Sequence, residues 1–197
     1  MNLSNVWSSP GIIKAFEKVD RKDFVRSEDV DHAYDNVPLP IGYNQTISQP
    51  TTVAFMLELL ELKEGLKALD VGSGSGWTTA LLANILGKKG EVIGVETIPE
   101  LVNFGRKNIA KYRKGLNVNI FPAGETIGYP LKSPYDRILV SASADEIPLE
   151  LIKQLKVLGI LVIPVKNSIY KLVRRSNDIN DILKEEYPGF VFVPLRK

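Results

Sequence analysis

The sequence predicts an α/β fold, a mostly parallel sheet with helices on both faces and an N-terminal helical extension. Three observations carry this. From Lys67 onward short apolar strands alternate with helical stretches. The first of those strands runs straight into Gly72-Ser73-Gly74-Ser75-Gly76. The next strand ends on an acid, Glu96, twenty residues beyond Gly76. Such alternation requires right-handed crossovers and a sheet covered by helices. With 197 residues and neither repeat nor low-complexity tract, the chain reads as one domain. Its parts are a helix and long loop (1–50), a strand–helix core (51–165) and C-terminal strands (166–197).

The elements follow in order. Ser9 and Pro10 read as N-cap and first residue of a helix, with Ile12, Ile13, Phe16 and Val19 on one stripe. Residues 34–50, YDNVPLPIGYNQTISQP, carry three prolines and a polar run, which predicts an ordered loop. Pro50 opens a helix to about Leu62 whose face is Val53, Ala54, Met56, Leu57 and Leu60. Then come the strand KALDV, a helix from Trp77 to Leu86, the strand EVIGV, a helix from Pro99 to about Tyr112, the strands NVNIF and RILVS, the helix IPLELIKQL and the strand GILVIP. YKLVRR and GFVFVPL read as a closing hairpin-like pair. The basic residues Arg106, Lys107, Lys111, Arg113 and Lys114 gather toward the C-terminal half of a helix, where the dipole favours cations, and read as a solvated helix end.

Composition removes several chemistries. The chain has no cysteine, which excludes disulfides, thiolate zinc sites, iron–sulfur clusters and cysteine nucleophiles, including the usual route of cytosine C5 methylation. Its one histidine, His32, supports neither a His-rich metal cluster nor an ordinary Ser/His triad and reads as a surface residue; no metal site is expected. A net charge of +2 is too balanced for binding by phosphate neutralisation, so no nucleic-acid partner is expected. The N-terminus lacks a basic stretch followed by an apolar one, and the longest apolar run, Val157 to Val165, is nine residues interrupted by Gly159 and Pro164. A cytoplasmic protein with no membrane partner is the expectation.

The glycine loop is the informative motif. Glycines between a strand and a helix let a ligand lie against the main chain at the helix N-terminus. The dinucleotide spacing GxGxxG would need glycine where Trp77 stands, so a pyrophosphate is disfavoured. Asp70, two residues before Gly72, would repel phosphate and attract an ammonium group. S-Adenosylmethionine has that cationic end, no phosphate, and a ribose whose hydroxyls suit Glu96. Asp70 would hold the methionine end, directly or through water, and Glu96 the ribose. Trp77 and Tyr129 are aromatic candidates beside the adenosine, although such residues are more often core.

Together YDNVPLPIGYNQTISQP, ALDVGSGSGW (68–77), VETIPEL (95–101), SPYDRILVSASADEIP (133–148) with the following LIKQL, and the terminal FVPL resemble the protein-L-isoaspartate (D-aspartate) O-methyltransferases over most of the chain. The TISQP segment is the specific part. The resemblance implies a Rossmann-like S-adenosylmethionine-dependent methyltransferase fold in which 1–50 carries the substrate loop and 51–165 binds the cofactor. It implies methyl transfer to the α-carboxylate of L-isoaspartyl and D-aspartyl residues of damaged proteins and peptides, the ester then closing to a succinimide. Cofactor contacts fall on Asp70, Gly72, Ser73, Gly74, Ser75, Gly76, Glu96, Thr97, Gly124 and Glu125. The chain departs from the family at Asn44, at Lys166, and at Ala123-Gly124-Glu125, where the acid near the adenine falls one position late, on Glu125.

A carboxylate acceptor titrates near pH 4 and is ionised at neutral pH, so no general base is needed. The task is to hold a carboxylate oxygen about 3 Å from the methyl group, in line with the leaving sulfur, without over-stabilising the anion. Hydroxyls suit this better than lysine. By resemblance Ser48 and Thr46 fill the catalytic role, Ser48 foremost, with Gln45 and Gln49 on the substrate backbone. Taken alone, Ser and Thr before Pro50 would read as helix caps. Beside this reading stand a methyltransferase of other specificity and a non-catalytic cofactor-binding homologue. Adenine N6 methylation is disfavoured by the absence of an NPPY- or DPPY-like tetrad.

Overall fold

The computed structural model describes residues 9–196. Helix α1 (Pro10–Lys18) begins where expected, but Ser9 does not cap it: its Oγ and N donate to the Glu58 carboxylate at 2.5 and 3.0 Å, tying the entry of α1 to α2 (Pro50–Leu59). Short 3₁₀ turns follow at Arg21–Phe24 and Ser27–His32. The expected loop at 34–50 contains an antiparallel hairpin, β1 (Leu39–Gly42) and β2 (Gln45–Ile47). Its turn runs through positive φ at Gly42, Tyr43 and Asn44 (92, 56 and 58°), the chemistry of a tight hairpin turn that the prolines obscure.

The main sheet has seven strands in the order β5-β4-β3-β6-β7-β8-β9. Strands β3 (Lys67–Val71), β4 (Glu91–Glu96), β5 (Asn117–Pro122), β6 (Tyr135–Val140) and the adjoining β7 (Leu155–Val165) pair in parallel. β8 (Ser168–Arg174) and β9 (Ile182–Pro188) add antiparallel. Helices α3 (Trp77–Leu86), α4 (Pro99–Ile109) and α5 (Leu149–Lys153) complete the fold. From β3 the chain adds β4 and β5 on one side and then returns to place β6 on the other, so the switch point lies at the C-terminal ends of β3 and β6, where open α/β sheets bind ligands.

Both faces are covered, unequally. Residues of α1 to α4 share one apolar cluster with alternate sheet positions such as Ala68, Val92, Ile120 and Leu139. The opposite positions, Leu69, Ile93, Ile138 and Leu161, pack with Leu151 and Ile152 of the short α5. Two expectations at the edges are corrected. The closing pair is β8 with Ile182–Pro188, not with GFVFVPL: β9 carries Lys184, Glu185 and Glu186, charges that suit an exposed edge strand and hide its alternation. The 189–196 segment instead crosses the C-terminal ends of the strands, bridging Ser143 through Val193 O, Pro194 and Leu195 N. Phe55 of α2 holds it, stacked on Phe190 and edge-on to Tyr187. Among the described residues no helix is long and apolar enough to cross a membrane.

Helix α4 lies directly on the glycine loop. A Cβ at Gly105 would stand 2.8 Å from Ile120 Cδ1 and 2.9 Å from the Gly74 carbonyl oxygen. Gly→Ala inside a helix ordinarily gains up to about 1 kcal/mol, whereas overpacking against backbone costs roughly 1–3 kcal/mol. We therefore expect Gly105→Ala to lower the midpoint of denaturant unfolding; a variant as stable as the wild type would show that helix and loop can separate.

Candidate active site

A cleft open to solvent occupies the switch point, where open α/β sheets take small-molecule ligands. Its floor is Gly72 and Gly74, one wall is Val95, Glu96 and Thr97, another is Ala123 to Gly128, and Gln45 and Thr46 of the hairpin with Val193 to Arg196 of the C-terminal segment close it. Arg196 Nη2 donates to Tyr43 O, joining hairpin to C-terminal segment. Gln154, buried behind the 123–129 wall, accepts from Tyr129 N at 2.8 Å and donates to Ile127 O at 2.8 Å.

The two acids of the sequence motif are engaged differently. Asp70 has no exposed surface: Oδ2 accepts from Thr78 and Thr79 hydroxyls at 2.8 and 2.6 Å, and Oδ1 from Ser141 at 3.2 Å. Burial pushes its carboxyl above the ordinary range, opposed by those three hydroxyls. Asp70 is not among the lining residues of the cleft or of the two cavities beside it. Glu96 lines the cleft. Its Oε2 accepts from Gly74 N at 2.9 Å and its Oε1 from the Thr97 and Ile98 amides at 2.7 and 3.0 Å, so one carboxylate pins the glycine loop and the start of α4. Thr97 Oγ1 also donates to Oε1, at 3.3 Å, so Oε1 is filled while Oε2 holds the Gly74 amide alone and has room for a further donor.

Of the remaining residues singled out from sequence, Gln45, Thr46, Gly72, Gly74, Thr97, Gly124 and Glu125 meet at the cleft. Ser73 and Ser75 are buried and face a smaller chamber beneath the loop with Ile47, Ser48, Trp77 and Thr78; Gly76 is buried under α4. Ser48 and Gln49 line a groove on the far side of the hairpin, with Pro38, Thr52 and residues 189–193. Gln45 thus sits on the cleft and Gln49 on the groove, where Gln49 Nε2 already donates to Thr51 Oγ1 at 2.7 Å. Trp77 turns inward, edge-on to Phe16, and Tyr129 stacks on Phe121.

Residues that the sequence did not single out, Ser141 and Arg21, shape this region too. Thr46 and Ser141, which follows β6, line cleft, chamber and groove alike. Arg21, 4% exposed, donates to Ala33, Asp35, Val37 and Ser48 carbonyls at 2.7 to 3.3 Å and lies over Trp77. Burial brings its pKa down to about 10, so it stays charged at neutral pH. An arginine beside an aspartate in a polar stretch gave no signal of a buried clasp.

Capping of α2 falls to neither Ser48 nor Thr46. Asn36 Oδ1 accepts from Thr51 N and Thr51 Oγ1 at 3.1 and 2.9 Å. We expect Asn36→Ala to cost about 1 kcal/mol in thermal unfolding, the typical loss of a cap, and Ser48→Ala to stay within about 0.5 kcal/mol of wild type. The reverse order would return the capping role to Ser48.

An α/β sheet with a glycine loop at its switch point and an acid ending the next strand defines a nucleoside-binding site of the S-adenosylmethionine-dependent methyltransferase class. The profile of the protein-L-isoaspartate(D-aspartate) O-methyltransferase family matches residues 2–197, and the chain belongs to that family. It is 44% identical over 189 residues, 95% of this chain and 88% of the other, to a protein-L-isoaspartate O-methyltransferase of Methanothrix thermoacetophila. It is 40% identical to that of Pyrococcus horikoshii, with 99% and 89% of the two chains covered. Among solved structures it resembles a protein-L-isoaspartate O-methyltransferase of Plasmodium falciparum in complex with S-adenosyl-L-homocysteine, at 29% identity and a TM-score of 0.84, covering 100% of this chain and 95% of that one.

Proposed function

We propose that the whole chain works as one methyltransferase unit that esterifies the α-carboxylate of L-isoaspartyl and D-aspartyl residues in damaged proteins, with the cytoplasm as its compartment. The observation that carries the reading is the shared wall: Thr46 faces both cleft and groove, and Ser48, two residues on, faces the groove and the chamber beneath the glycine loop. A donor pocket and an acceptor pocket meeting at two hydroxyls is what transfer between two bound molecules needs.

S-Adenosylmethionine supplies, when bound, a methyl group on a positively charged sulfur. The cleft suits it: Glu96 Oε2 keeps acceptor capacity for a ribose hydroxyl, Thr97, Gly124 and Glu125 stand along the adenosine side, Val95 and Ile127 offer apolar contact, and Arg196 is the one cation among the described residues of the lining, too few to invite a phosphate. The loop glycines Gly72, Gly74 and Gly76 have φ of 79, 51 and 88°, which side-chain-bearing residues rarely adopt, and Gly72 and Gly74 keep the floor open to the main chain. Ser48 and Thr46 hold the substrate carboxylate by hydroxyl donors. These orient the anion without the ground-state trapping that an ammonium would cause. Residues 189–193 and Gln49 border the groove where peptide would lie.

The test is methyl-ester formation on an isoaspartyl peptide against its normal aspartyl twin. Turnover confined to the isoaspartyl peptide is expected; turnover on neither, with cofactor bound, points to an inactive homologue, and equal turnover on both to another specificity. Ser48→Ala should lower kcat at least about tenfold while leaving the dissociation constant of S-adenosylhomocysteine unchanged, because only a contact made at transfer is lost. Unchanged kcat removes Ser48 from the reaction.

Because the acceptor is already ionised, the rate profile should show no enzyme-derived limb near pH 6 to 7. His32 is exposed and bonded to Asp35 at 2.9 Å, which raises its pKa above the ordinary value. Any stability this pair contributes is present in full below the unfolded pKa and lost as pH rises through the raised one. His32→Gln should therefore keep full activity across that range; loss of turnover with cofactor binding intact would make His32 a participant.

A further inference from the structure

Ser141 joins the buried acid to the cavities. Its amide donates to Val71 O at 2.9 Å, fixing the start of the turn after β6 against the end of β3, and its side chain lines cleft, chamber and groove. Its hydroxyl donates to Asp70 Oδ1, while Asp70 Oδ2 is filled by the two threonines of α3. An ionised carboxylate only accepts, and a hydroxyl has one proton. With that proton on Asp70, Ser141 Oγ offers lone pairs to the cavities, and the charge of a fully buried carboxylate stands one hydrogen bond behind them. Thr78 makes the same kind of bond but reaches only the chamber; Thr79 is buried. Ser73, another residue of that chamber, has a buried Oγ without a partner among the described residues.

We propose that Ser141 Oγ accepts an N–H from the ammonium group at the amino-acid end of S-adenosylmethionine, with Asp70 as the charge that sets the direction of the hydroxyl. The assignment rests on the cofactor reading above. It replaces direct capture by Asp70 with a serine relay, and it gives Ser141 a job for which an acceptor backed by negative charge is suited and a donor is not. A substrate carboxylate would be repelled at this atom, so Ser141 belongs to the cofactor side of the junction and Ser48 to the acceptor side.

Titration calorimetry with two probes tests it: S-adenosylhomocysteine, which carries the ammonium group, and 5′-methylthioadenosine, which has the same adenosine and no amino-acid end. Ser141→Ala should weaken S-adenosylhomocysteine about tenfold, the scale of a charge-assisted hydrogen bond, and leave 5′-methylthioadenosine unchanged. Ser141→Thr, which keeps the hydroxyl, should bind both as the wild type does. Equal weakening of both probes by Ser141→Ala, no weakening of either, or loss of S-adenosylhomocysteine binding in Ser141→Thr equal to that in Ser141→Ala would each overturn the relay. Wild-type protein that binds neither probe would overturn the cofactor reading itself, a different outcome from any of these.

Discussion

The site depends on backbone lying against backbone where α4 crosses the glycine loop. Gly76 and Gly105 face each other so closely that a Cβ on Gly76 would be 3.1 Å from Gly105 O, and one on Gly105 would be 2.9 Å from Gly74 O. Around that contact the loop is pinned at separate points: Glu96 takes Gly74 N, and Asn108 Nδ2 donates to Ser75 O at 3.0 Å. A loop held by hydrogen bonds to fixed elements keeps its shape in the absence of ligand, so binding incurs little ordering entropy there. The cleft is preformed for that reason.

The same arrangement divides labour between two carboxylates, Asp70 with no exposed surface and Glu96 on the cleft. Asp70 is desolvated without a cation beside it, a costly state offset by three hydroxyl donors. Glu96 is matched with backbone amides at a helix start, where a negative charge is favoured by the dipole. One acid therefore organises the site from beneath, through side chains, and the other frames the cleft wall directly.

How much of this was legible depended on whether the signal was periodic. The strands from Lys67 to Val165 and the helices between them declared themselves because their alternation and glycine punctuation are local, and the segments TISQP and GSGSG contain residues that the fold brings to the cleft, chamber and groove. What stayed hidden was not periodic. The β1–β2 hairpin lay inside a proline-rich stretch, its turn carried by Gly42 and Asn44. The β9 strand was masked by charges that protect an edge, while the more apolar FVFVPL drew the strand assignment although it serves as a cover. Gly105 carries no sequence signal of its role, which is the close approach of α4 to the loop. Arg21 lies outside the motifs, and Gln154 and Ser141 lie inside motif segments without standing out there; they matter because the fold brings them to carbonyls, a loop and a buried acid distant in sequence.

Arg21 shows how a residue away from the cavities sets what they offer. Its guanidinium gathers four carbonyls between Ala33 and Ser48, among them that of Ser48 itself. A peptide carbonyl left pointing into the groove would present its negative end to an incoming carboxylate. Bonded to a buried cation, the Ser48 carbonyl is turned to the protein interior and its charge is compensated there. In the function proposed above, the groove keeps the Ser48 and Thr46 hydroxyls without an opposing acceptor from that peptide, and with no cation among the described residues of its lining. Neutral donors in front and a compensated dipole behind form a surface on which an anion can be held loosely, the condition under which its oxygen stays reactive.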